Sequence, residues 1–110
     1  MTTRIAIIGG GPGGYESALV AAQLGAEVTV IDRDGIGGAC VLTDCVPSKT
    51  LIATSERVSA FRDAWRVGVG TAADAAIDLA AVNERIKTLA QQQSDDIETR
   101  LRNEGVGVVR

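Results

Sequence analysis

The sequence predicts an α/β fold in which a doubly wound parallel sheet is only partly present, and three observations carry that prediction. Two short apolar runs, Arg4–Ile8 and Glu27–Ile31, flank a stretch rich in Ala and Leu, giving the order strand, helix, strand. A glycine-rich loop, residues 9–14, joins the first strand to the helix. The final residues, 106–109, begin a third strand after a long helical pattern.

Arg4–Ile8 is apolar nearly throughout and ends in glycine, so it reads as a strand buried on both faces, as strands of parallel sheets are. Residues 15–24 form the helix, with Gly25 placed to close it. Glu27–Ile31 is β-branched and leads into Asp32, which completes a βαβ unit. Residues 33–38 hold three glycines and read as a loop. A second helix is expected from 48 to about 65, with Pro47 near its start, where a missing N–H costs little. Residues 67–76 are small and glycine-containing and read as an irregular link.

Asp78 then reads as the N-cap of a long helix whose apolar residues are Leu79, Val82, Ile86, Leu89, Ile97 and Leu101, with Gln93 interrupting the stripe. At about 1.5 Å per residue this helix reaches roughly 39 Å, long enough for a core helix or for a seam against another chain. Gly105 closes it. A doubly wound sheet ordinarily continues through further strands, so the 110 residues read as the N-terminal part of a dinucleotide-binding domain within a longer, multi-domain chain.

Composition narrows the function. Apolar residues at 45% and charged residues at 23% suit an ordered soluble protein. A net charge of -3 offers no basic stripe for a phosphate backbone, which argues against nucleic acid as a partner. The early apolar run is too short for a signal peptide or a membrane span, so a cytoplasmic location is expected. There, two closely spaced cysteines point to catalysis, redox sensing or metal binding. Two cysteines without any histidine make a poor metal set, and no metal is expected. The missing imidazole also means that a base working near neutral pH must come from outside these residues.

Gly9, Gly11 and Gly14 occupy the glycines of a G-x-G-x-x-G fingerprint, which calls for a tight turn, close approach of backbone to a pyrophosphate, and tight helix–strand contact, respectively. The helix beginning there offers free N–H groups and the positive end of its dipole to phosphate. Asp32 lies 18 residues past Gly14 at the end of the next strand, positioned to accept from ribose hydroxyls. Strand, loop, helix and acid together specify a Rossmann-type dinucleotide site without choosing between FAD and NAD.

Cys40 and Cys45 are the two cysteines of the chain, and the four residues between them allow the Cα separation of about 4.4–6.8 Å that a disulfide needs. Were Cys45 at a helix N-terminus, the dipole and Lys49 would favour its thiolate.

The order Gly9-Gly10-Gly11-Pro12-Gly13-Gly14, then Asp32, then Gly37-Gly38-Ala39-Cys40-Val41-Leu42-Thr43-Asp44-Cys45-Val46-Pro47-Ser48-Lys49 resembles the N-terminal FAD portion of the pyridine nucleotide-disulfide oxidoreductases. That family includes dihydrolipoamide dehydrogenase, glutathione reductase and mercuric reductase. The resemblance implies a bound FAD that takes electrons from NAD(P)H and passes them to a disulfide and then to substrate. It implies that Cys45 faces the flavin as the charge-transfer thiolate, that Cys40 is the interchange thiol, and that Lys49 lies at the reactive edge of the flavin ring. It also implies cofactor contacts from Gly9, Gly11, Pro12, Gly13, Gly14, Asp32, Arg33, Gly38 and Ala39, with Thr50 placed near by position. Relatives are homodimers whose partner subunit supplies a histidine-glutamate base, so these residues alone should not turn over.

Between the cysteines this chain has Val41-Leu42-Thr43-Asp44 where lipoamide dehydrogenases usually read Leu-Asn-Val-Gly. Its wording resembles an actinobacterial branch described as NAD(P)H-quinone dehydrogenases, in which the first cysteine is often replaced; here Cys40 is kept. The expected activity is therefore NAD(P)H-quinone reduction, with dihydrolipoamide oxidation as the alternative. A redox-sensing dinucleotide module is the reading from another class; it would need exposed thiols but neither Lys49 nor the βαβ setting.

Overall fold

Three parallel strands, β1 (Arg4–Ile8), β2 (Glu27–Ile31) and β3 (Gly107–Val109), lie side by side with β2 in the centre. The computed structural model describes residues 1–70 and 76–110. Pairing runs from Arg4 opposite Glu27 to Ile8 opposite Ile31, and from Thr29 opposite Gly107 to Ile31 opposite Val109. Each ladder extends one residue past its strand, through Gly9 N–H to Ile31 O (2.8 Å) and Asp32 N–H to Val109 O (3.0 Å). Sheet register thereby sets the starting points of both loops that build the site.

Helix α1 (Pro12–Gln23) and the long helix α4 (Leu79–Asn103) pack against one face of this sheet. Ala18 and Leu19 from α1, Val28 and Val30 from β2, and Leu101 from α4 form a core with Ile36 and Val106. Burying side chains of this size contributes about 1.5–3 kcal/mol each for the larger ones. The opposite face carries Ala6, Ile8 and Ile31, all exposed. Burial on both faces of β1, expected from its sequence, is therefore corrected. Exposure alternates along the strand because no described element covers the second face.

The helix ends follow from local chemistry. Gly25 N–H donates to Ala22 O and Ala26 N–H to Ala21 O, while Gly105 N–H donates to Arg102 O and Val106 N–H to Leu101 O. Both are Schellman closures, with Gly25 (φ 87°) and Gly105 (φ 77°) in the left-handed region. Asp78 Oδ1 accepts from Ala81 N–H at 3.0 Å, capping α4 as its position suggested.

Two expectations about helices are revised. A five-residue helix, α2 (Gly38–Leu42), begins on the last residue of the loop expected at 33–38 and has no counterpart among the expected elements, and α3 (Cys45–Asp63) starts three residues before the expected Ser48. Pro47 falls on its third residue, where no intrahelical acceptor is lost. A 3₁₀ turn (Ala64–Val67) follows α3. Most of the irregular link expected at 67–76 lies outside the described residues. The apolar stripe of α4 is not broken at Gln93, which is exposed; it runs through the neighbouring Ser94, only 2% accessible.

The molecule measures 69 × 25 × 18 Å, and its radius of gyration of 19.7 Å exceeds the roughly 13 Å of a compact domain this long. The α3–α4 pair accounts for the elongation. No residue of α3 is fully buried, and Leu51, Ile52, Phe61 and Trp65 are exposed. Asp78→Ala should lower stability by about 1 kcal/mol through loss of the cap. A reduced urea midpoint at unchanged slope is the expected result, and an unchanged midpoint would show the cap to be idle.

Candidate dinucleotide and dithiol site

The site lies beyond the carboxyl ends of the strands, where open α/β sheets place their ligands. Gly9 leaves β1 with φ 103°, a conformation side chains rarely adopt. Gly14 touches the strand end so closely that a Cβ there would stand 1.9 Å from Gly9 O, so α1 can approach β1 only through glycine. Gly11, the N-cap of α1, has ordinary extended backbone (φ -68°, ψ -178°), and nothing lies within 4 Å of a Cβ built on it or on Gly13. Packing therefore does not require glycine at 11 or 13. The N–H groups of Gly11, Gly13 and Gly14 have no acceptor among the described residues, and Pro12 at the first helical position carries none. An open surface over unpaired donors at a helix start is suited to phosphate. The residues present thus fit the pyrophosphate of a dinucleotide.

Asp32 buckles this loop to the turn after β2. Its Oδ2 accepts from Gly10 N–H at 2.6 Å, and its Oδ1 accepts from Asp34 N–H at 2.8 Å and Gly35 N–H at 3.0 Å. Partial burial pushes its pKa up, but the three backbone donors, Gly10 foremost, outweigh this and leave it below the ordinary carboxylate value. Part of its acceptor capacity is thus spent on the protein, with room left for one further donor. Arg33 turns outward, and its guanidinium forks onto Asp34 at 2.8 and 2.9 Å.

Gly38 opens α2 against the phosphate loop: a Cβ there would stand 3.0 Å from Gly11 Cα. Ala39 is exposed beside it, and Cys40 follows, half-buried. Cys45 is the first residue of α3 and is exposed. Hydrogen bonding from the neighbouring Cys45 sulfur, aided by burial and by Asp44, raises the Cys40 pKa above its ordinary value, so Cys40 stays protonated at neutral pH. Lys49 is exposed one turn after Cys45 on the same helix face. Thr50 donates its hydroxyl to Val46 O at 2.8 Å.

Four residues that the sequence did not single out complete the frame. Gly10 bonds at both its N–H and its carbonyl, and a Cβ on it would meet Ile36 Cδ1 at 2.8 Å. Gly37 N–H donates to Gly10 O at 2.7 Å. Ile36 is buried beneath the loop, and its carbonyl accepts from the Ser94 hydroxyl of α4. The uninterrupted glycine run hinted at Gly10; nothing local marked Ser94. A hollow of about 430 Å³ lined by Thr3, Ile5, Leu24 and Gly25 lies at the other end of α1 and holds none of this chemistry. Among the described residues no cluster of His, Cys, Asp or Glu could hold a metal ion, and no helix is long and apolar enough to cross a membrane.

Fold and site together define a dinucleotide-binding α/β unit with a dithiol beside its phosphate loop. The chain belongs to the pyridine nucleotide-disulphide oxidoreductase family, whose model matches residues 3–110. It is 53% identical, over 99% of its length, to an NAD(P)H dehydrogenase (quinone) of Mycobacterium tuberculosis, and 39% identical, over 97%, to dihydrolipoyl dehydrogenase 2 of Haloarcula marismortui. The crystal structure of LpdA from M. tuberculosis superposes with a TM-score of 0.90 at 50% identity, over 98% of this chain and 23% of that one. The chain spans 23% and 22% of the length of the two relatives.

Two outcomes follow from the geometry. Gly14→Ala should destabilise the fold by about 3 kcal/mol, because the new methyl meets backbone, whereas Gly11→Ala should stay within roughly 1 kcal/mol of the parent. Urea denaturation of the two variants checks the contrast, and equal losses would contradict it. In Cys45→Ala the Cys40 pKa should fall back toward its ordinary value, since Cys45 is the first cause of its rise. The pH dependence of iodoacetamide alkylation reads this directly; an unmoved Cys40 profile would remove Cys45 as the cause.

Proposed function

We propose that residues 1–110 form the N-terminal part of the FAD-binding domain of a longer flavoprotein, a cytoplasmic homodimer that reduces a quinone at the expense of NAD(P)H. The observation that carries this reading is the placement of Cys40 on α2, whose first residue abuts Gly11, and of Cys45 at the start of α3, beside a phosphate loop whose open glycines suit a pyrophosphate. The 53% identity to a protein named NAD(P)H dehydrogenase (quinone) supports quinone as the acceptor. The exposed apolar face of the sheet and the exposed side chains of α3 support further chain and a second subunit as their cover.

When bound, FAD would supply a two-electron carrier between the nicotinamide and the acceptor. In this reading the N–H groups of Gly11, Gly13 and Gly14 hold its pyrophosphate, with Gly9 making the turn and Pro12 setting the first helical residue. Asp32 accepts from its ribose, and Arg33 borders that end of the site. Gly38 and Ala39 let α2 approach closely. Cys45, exposed at the start of α3, faces the ring, and Lys49 places a positive charge one turn further on, near its reactive edge. Cys40, kept protonated, holds the interchange position.

Dihydrolipoamide oxidation is the second reading, favoured by the retention of Cys40 beside Cys45. That chemistry needs Cys40 as nucleophile and a base beyond these residues, which contain no histidine. A quinone needs neither.

The full-length polypeptide should purify yellow, and its two-electron reduced form should show a long-wavelength band that disappears in Cys45→Ser. Quinone turnover should survive Cys40→Ser within about threefold, while lipoamide turnover should fall on the order of a thousandfold or more. A colourless protein that refuses FAD ends the proposal; loss of quinone turnover in Cys40→Ser would transfer it to the dithiol route.

A further inference from the structure

We propose that Ser94, on α4, is a positioning residue for the phosphate loop, acting through two successive peptide groups; this rests on the dinucleotide reading above. Ser94 is the single buried polar residue among those described, 2% accessible in a core otherwise made of apolar side chains. Its hydroxyl donates to Ile36 O, 58 residues earlier in the chain.

The carbonyl of Ile36 and the N–H of Gly37 belong to one peptide group, so that group is held at both ends. Ser94 holds its oxygen, and its N–H donates to Gly10 O at 2.7 Å. Gly10 O in turn shares a peptide group with the Gly11 N–H, a donor with no acceptor among the described residues and with open space over its Cα. A peptide that accepts at its oxygen becomes a stronger donor at its nitrogen, and chains of such bonds reinforce one another. The relay therefore runs from the Ser94 hydroxyl through the Ile36–Gly37 peptide and the Gly10–Gly11 peptide to the place where a phosphate oxygen would sit. It also fixes geometry, since Gly38, next in the turn, abuts Gly11 and begins the helix bearing Cys40.

A serine retained only to fill space would be replaceable by alanine with a small void. In the relay, alanine strips the donor from a buried carbonyl, frees the Ile36–Gly37 peptide to rotate, and weakens the last donor.

The test uses full-length protein stripped of cofactor, with ADP and FAD as titrants and amide hydrogen exchange at Gly37 as a readout that needs no ligand. Ser94→Ala should raise both dissociation constants roughly tenfold, the scale of one buried hydrogen bond lost, and should speed Gly37 exchange. Ser94→Thr, which keeps the hydroxyl, should recover both. Ile97→Val, which thins the same helix face three residues on, should lower thermal stability while leaving both readouts in place. The proposal is overturned if Ser94→Ala binds ADP like the parent, or if Ile97→Val weakens ADP as much as Ser94→Ala does. If the parent takes up neither ADP nor FAD, the dinucleotide reading falls, and unchanged Gly37 exchange in Ser94→Ala would separately remove Ser94 from the frame.

Discussion

Gly10 is hydrogen-bonded at both ends, its N–H to Asp32 Oδ2 and its carbonyl to Gly37 N–H, and this double attachment lets a loop of glycines keep one shape. Glycine carries the largest conformational entropy to lose, so a run of them would wander unless its polar groups were tied down. The turn after β2 supplies the ties. Because Gly9 and Asp32 both continue the sheet ladder, the two loops meet in a register that the strands impose. The N–H of Gly10 is spent on the protein, whereas those of Gly11, Gly13 and Gly14 have no acceptor among the described residues.

The βαβ order, the closing glycines and the cap at Asp78 were legible because each is a local event: a periodicity, a left-handed residue, a side chain reaching three residues forward. The fingerprint glycines were legible for the same reason: the tight turn falls on Gly9 and the close packing on Gly14, as their spacing called for, while Gly11 has open space around it. What escaped is non-local. Ser94 reads as one more polar residue beside Gln93 until α4 is laid against the turn holding Ile36. The start of α3 was missed because Pro47 usually marks a beginning, yet the first turn of a helix tolerates it up to its third residue. Glycines at 35, 37 and 38 suggested a loop, although the last of them opens α2 and owes its identity to contact with Gly11 rather than to flexibility. Burial on both faces of β1 was inferred from composition, and a sheet of three strands with its helices on one side leaves alternate residues exposed.

Apolar burial is distributed unevenly, and this sorts the molecule into two parts. Beneath the phosphate loop, Leu19, Val30, Ile36 and Leu101 are almost wholly sequestered. Along α3 none is, and several of its hydroxyls, such as those of Thr50 and Thr54, turn back to carbonyls of their own helix. Cys45 stands at the start of this sparsely packed arm, while Cys40 belongs to α2, which is wedged between the phosphate loop and α4. The dithiol thus spans the boundary between a well-buried loop frame and a helix held mainly by α2 and α4. Val41 anchors α2 in the interior, whereas α3 has no fully buried residue to anchor it.

That boundary also limits the chemistry of the chain itself. Exchange at a dithiol near neutral pH needs a group that can take and return a proton there. Cys40 is pushed up by its partner sulfur, and Tyr15, which shares its electrostatic surroundings, is pushed above the phenol value chiefly by burial. Both remain protonated, and the 110 residues contain no histidine. The pair can therefore be held in a defined arrangement without being driven through turnover by its own neighbours. An acceptor that takes electrons without thiol exchange is free of that requirement, whereas a disulfide substrate is bound to it. Retention of Cys40 is then informative about the acceptor only together with the base that would serve it, and the geometry around Gly11 does not distinguish the two.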